Sequence, residues 1–82
     1  MNAEERWRMY ERKAMFTECL GALMRAEPSI GVRDLTYRAD EGSGAETVEI
    51  LFEGGLIRKA DVTADSFLAI MEDVLKVVRK YG

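Results

Sequence analysis

Residues Thr47 to Val62 read TVEILFEGGLIRKADV, and this stretch decides the fold. In Thr47 to Glu53, Val48, Ile50 and Phe52 alternate with Thr47, Glu49 and Glu53, the period of a half-buried strand, with Leu51 the one misfit. Gly54 and Gly55 supply the positive φ values of a tight reversal. The returning strand, about residues 57–62, must place its apolar residues on the same face. A two-residue turn would set Ile50 beside Lys59 and Val48 beside Asp61, burying two charges. Three loop residues, Gly54 to Leu56, instead pair Phe52 with Arg58, Ile50 with Ala60 and Val48 with Val62, leaving only Arg58 out of place. The expected motif is a bulge-type hairpin.

Upstream, a first strand over about 32–39 puts Leu35, Tyr37 and Ala39 on one face and Asp34, Thr36 and Arg38 on the other. Matching its odd inward positions to the even ones of the next strand requires an even loop. Gly42 to Ala45 is the expected connector, with Tyr37 opposite Ile50.

Downstream, the spacing predicts a helix over about 64–80 with Phe67, Ile70, Met71, Val74, Val77, Val78 and Tyr81 on one stripe. Thr63 is its expected N-cap and Asp65 the alternative, with Val62 and Phe67 forming a hydrophobic staple. Leu68 and Leu75 widen the apolar arc beyond what one sheet contact needs. Either the first helix or a second subunit accounts for them.

The N-terminal helix is expected over about 3–26, ended by Pro28 and Ser29. Met9, Phe16, Cys19, Leu20 and Leu23 share the face expected to cover the sheet, with Trp7, Tyr10 and Ala14 nearly opposite. Such a helix is ~36 Å long at 1.5 Å per residue, against ~20 Å for a typical strand, so its first turns should overhang. Trp7 and Tyr10 among arginines read as a local cluster, as a contact with a second subunit, or as an approach to phosphates through Arg6, Arg8, Arg12 and Lys13.

The order is α-β-β-β-α: one α+β domain spanning 1–82, two-layered, with a three-stranded antiparallel meander and both helices on one face. This order and size resemble the double-stranded RNA-binding domain. The resemblance implies a lysine-rich start to the last helix and commonly a histidine in the first hairpin loop. Here the helix start reads Thr63-Ala64-Asp65-Ser66 and the chain has no histidine. The likeness is one of topology, so nucleic-acid binding stands as an alternative function only.

Composition narrows the rest. Hydrophobic content of 48% beside 33% charged residues fits a folded chain, not a disordered one. A net charge of −3 argues against a nucleic-acid footprint. The acids Asp34, Asp40, Glu41, Glu46, Glu49 and Glu53 read as a solvated edge, or as a patch meeting the basic ends of another copy. No run is long and apolar enough for a membrane span and the N-terminus lacks signal-peptide character, so cytoplasm is the expected compartment.

No enzymatic role, cofactor or metal is expected. Histidine, the commonest general base and metal ligand, is absent. The single cysteine, Cys19, reads as a small buried hydrophobe. The glycine pairs are turn glycines without a phosphate-loop context. The leading expectation is a non-catalytic protein-interaction domain that forms a homodimer, with Trp7, Tyr10, Leu51, Leu68 and Leu75 as candidate interface residues. Small-ligand binding is a further alternative, requiring a polar pocket between the first helix and the sheet.

Overall fold

The alternation around Ile50 becomes the central strand of the sheet in a computed structural model that describes residues 2–82. Along β2 (Glu46–Phe52), Glu46, Val48, Ile50 and Phe52 are buried while the residues between them are half-exposed. It lies between β1 (Val32–Ala39) and β3 (Ile57–Asp61), antiparallel to both. Two helices, α1 (Ala3–Arg25) and α2 (Phe67–Tyr81), cover one face, and a short 3-10 turn, Pro28–Ile30, joins α1 to the sheet. The α+β two-layer order read from the sequence is the observed one.

The second hairpin has three loop residues, but they are Glu53 to Gly55 instead of Gly54 to Leu56. Phe52 N–H bonds the Leu56 carbonyl at 2.8 Å and Gly55 N–H bonds the Phe52 carbonyl at 2.9 Å. The last loop position takes a left-handed conformation, φ 91° at Gly55; the expected frame would have put Leu56 there, against its Cβ. Val48 therefore pairs with Ala60 and Ile50 with Arg58. Parity is kept, and Arg58 lies on the helix side with its guanidinium carbon 4.7 Å from the centre of the Tyr81 ring.

The first hairpin slides in the same way. Tyr37 faces Val48 and Leu35 faces Ile50, so the loop is Asp40 to Ala45: even as expected, but two residues longer. Asp40 is drawn into it because its carboxylate accepts from Gly42 N–H at 3.0 Å and from the Ser43 hydroxyl at 3.1 Å. A bulge between Val32 and Asp34 turns both Val32 and Leu35 inward.

α1 buries Tyr10, Lys13, Thr17, Leu20, Gly21 and Met24, spaced three or four apart. Of the face expected to cover the sheet only Leu20 is in this stripe. Cys19 is exposed and Leu23 is 70% exposed, correcting the reading of both as core. α2 starts at Phe67, three residues later than expected, because Ser66 is its cap: Ser66 Oγ accepts from Ala69 N–H at 3.1 Å. Ile70, Val74 and Val78 then close the core over Val48, Ile50 and Val62. The helices run parallel, since Phe16 stacks on Phe67 with centroids 5.2 Å apart at one end and Gly82 lies against the Ile30 carbonyl at the other. Asn2 to Arg8 are all exposed, the overhang that helix length implied.

Candidate interaction site

A buried polar cluster fixes how α1 sits on the sheet. Lys13, on the inward stripe of α1, places Nζ 2.7 Å from Glu46 Oε1, on the inward row of β2. The Tyr37 hydroxyl donates to the same oxygen, and Ala64 N–H donates to Glu46 Oε2 at 2.8 Å. Burial alone would raise the Glu46 pKa, but the bonds from Lys13, Tyr37 and Ala64 outweigh it and hold the carboxyl below its ordinary value. Burial first, and then Glu46, push the Tyr37 phenol upward. These three side chains satisfy one another inside the fold, so the cluster offers little to a ligand.

The same cluster shapes the turn into α2. Thr63 Oγ1 accepts from Glu46 N–H at 3.0 Å and its hydroxyl donates to Asp61 Oδ1 at 2.7 Å, leaving Thr63 no role as a helix cap. Ala64 is held at φ 60°. Asp65 beside it has one buried oxygen, Oδ2, without a hydrogen-bond partner, and its pKa is pushed up to about 6 by burial and by the neighbouring Asp73 carboxyl. Among the described residues no group of three or more histidine, cysteine, aspartate or glutamate side chains could hold a metal ion. Likewise no helix among them is long and apolar enough to cross a membrane.

The structure separates the sequence-derived interface residues. Tyr10 is 7% exposed, on the buried stripe of α1, and lies at the floor of the concavity that Trp7 lines. Trp7 is exposed and lines a shallow concavity with Ala14, Tyr37, Ala39 and Glu41, on the β1 side. Leu51 pairs with exposed Ile57 on the outer sheet face, among Thr36, Glu49 and Lys59. Leu68 is 59% exposed, and Leu75, seven residues on, packs half-buried against the core from the same flank of α2. Three of the acids read as a patch are engaged within the chain: Glu46 with Lys13, Asp34 with Arg25 and Glu49 with Arg38.

One apolar surface was not legible as such. Met15, Cys19, Ala22, Leu23 and Ala26 follow one another three or four residues apart, or side by side, on the solvent side of α1, and all are exposed. On α2, Phe67 and Leu68 are exposed as well; Met15 is 67% and Phe67 46% exposed. Isolated exposed apolar residues are ordinary, whereas a contiguous set marks an interaction surface. Of this stripe only Cys19 and Leu23 belong to the face expected to cover the sheet; Met15, Ala22 and Ala26 fall on neither of the two faces read from the sequence. The start of α2, Ser66-Phe67-Leu68 behind Asp65, is apolar and acidic where the RNA-binding resemblance implies lysines.

Comparison with family models, with curated proteins and with solved structures finds no match for the chain.

Proposed function

We propose that this chain is a non-catalytic protein-interaction domain that associates with a second copy of itself. The observation that carries the reading is the outward stripe of α1, where Met15, Cys19 and Leu23 stand exposed four residues apart, with Phe67 and Leu68 also exposed on α2. A domain of 82 residues has a marginal core, and covering such a face is a common supplement to its stability. Removing apolar area from water stabilises by roughly 25 cal/mol per Å2, so leaving several large side chains uncovered forgoes several kcal/mol. The non-catalytic half of the reading is supported by the cluster of Lys13, Glu46 and Tyr37, whose polar atoms face one another and not a cleft.

The test is to place a charge on the face. Leu68→Glu and Leu23→Glu alter exposed positions, so the fold should survive, as circular dichroism would show. The expected result is a loss of dimer mass in sedimentation velocity for the charged variants and none for Ile57→Glu on the outer sheet face. Equal mass distributions for all three variants and the parent would contradict the proposal.

A further inference from the structure

We infer that the second copy docks on α1 itself, antiparallel, about a twofold axis passing beside Ala22; the inference rests on the self-association proposed above and names its seat. The outward stripe Met15, Cys19, Ala22, Leu23 and Ala26 is centred near residue 21, and Ala22 is its member nearest that centre, a small residue that lets two helix backbones approach closely where they cross. On the β1 flank of that stripe stand Glu18, four residues before Ala22, and Arg25, three residues after it. At 1.5 Å rise per residue these lie ~6 Å and ~4.5 Å on either side of the axis. A twofold axis perpendicular to both helices keeps each flank on its own side and reverses direction along it. Glu18 of one copy therefore arrives opposite Arg25 of the other, and Arg25 opposite Glu18.

That reciprocity argues for a second copy over an unrelated partner. An isologous interface must be complementary to itself, and opposite charges at nearly equal distances from the centre of one apolar stripe meet that requirement. Arg25 is already held in place, with Nη1 3.3 Å from Asp34 Oδ1 and about half its side chain still open to solvent. Glu18, Cys19, Ala22, Arg25 and Asp34 together line a shallow concavity along this flank. The parallel register loses both pairs: an axis along the helices carries each flank to the opposite side of the seam, so Glu18 and Arg25 would face the partner's other flank.

Disulfide trapping tests the axis directly. In a Cys19→Ser background, Ala22→Cys should cross-link under mild oxidation, because residues at a twofold axis bring their Cβ atoms within disulfide reach. Leu68→Cys and Ile57→Cys in the same background should not. Glu18→Arg should raise the dimer dissociation constant by roughly three- to thirtyfold, and the exchange Glu18→Arg with Arg25→Glu should restore it. A dimer that cross-links through residue 68 or 57 and not through residue 22 would overturn this inference and leave self-association standing. A chain that stays monomeric and never cross-links would overturn both.

Discussion

Lys13 and Glu46, thirty-three positions apart, form an ion pair at 2.7 Å with 5% and 4% of their side chains exposed. It joins the first helix to the central strand, and through Ala64 N–H it also anchors the turn that starts the last helix. Breaking such a pair leaves a buried charge uncompensated, which typically costs about 3–5 kcal/mol. Lys13→Met should therefore lose a large part of the stability of so small a domain, read as a fall in the urea midpoint. Lys13→Met combined with Glu46→Met should be less damaging than the sum of the two, because no lone charge remains.

Stability should peak on the acid side of neutrality. Asp65 has a folded pKa of about 6, above its ordinary 3.8, so folding takes up a proton between those values. Its contribution therefore falls as pH rises through about 6. Glu46 acts oppositely: its folded pKa lies below 4.5, so its contribution is present above that value and is lost as pH falls through the lowered one. The groups facing Asp65 are Asp73 of α2, Lys13 of α1 and Asp61 of β3. Asp65→Asn should raise the melting temperature at pH 7 and flatten its rise between about pH 7 and 5. An unchanged pH profile in that variant would refute the assignment.

Two glycine exchanges should act in opposite directions. Ala64, at φ 60°, carries a side chain in a region that favours glycine, so Ala64→Gly should stabilise by about 0.5–1 kcal/mol while keeping its N–H bond to Glu46. Gly55, at φ 91°, makes the hairpin turn, and Gly55→Ala should destabilise by about 1 kcal/mol or more. Thermal melts of the two variants beside the parent decide both.

How much of this was legible depended on the period each element obeys. Strand alternation fixes which residues point inward, so Val48, Ile50, Phe52 and Ala60 were placed correctly. It fixes pairing only to the nearest two residues, however, and both hairpins slid by that step. The side chains of Asp40 and the backbone freedom of Gly55 made the choice.

The helices went wrong where polar residues sit in the core. α1 carries two apolar stripes, and the buried one contains Lys13 and Thr17, so a count of hydrophobic residues favours the other. Thr17 is satisfied by donating to the Lys13 carbonyl at 2.8 Å, and Lys13 by Glu46. The available clue was the parity of Glu46, an acid on the inward row of β2 that required a buried cation. The start of α2 was ambiguous because Thr63, Asp65 and Ser66 can all cap. Glu46, distant in sequence, settled it by occupying Thr63 and Ala64. Of the candidate interface residues, Trp7 and Leu68 are exposed; Leu23 is exposed where the core face was expected, and Met15 lies on neither face read from the sequence.

The most direct test of the account is the absolute mass of the unmodified chain, by light scattering behind a sizing column, at two concentrations about tenfold apart. Self-association gives a mass near twice the 9.3 kDa of the chain at the higher concentration, shifted toward 9.3 kDa by Leu23→Glu. A mass of one chain at both concentrations would contradict self-association and leave the outward stripe of α1 to some other partner.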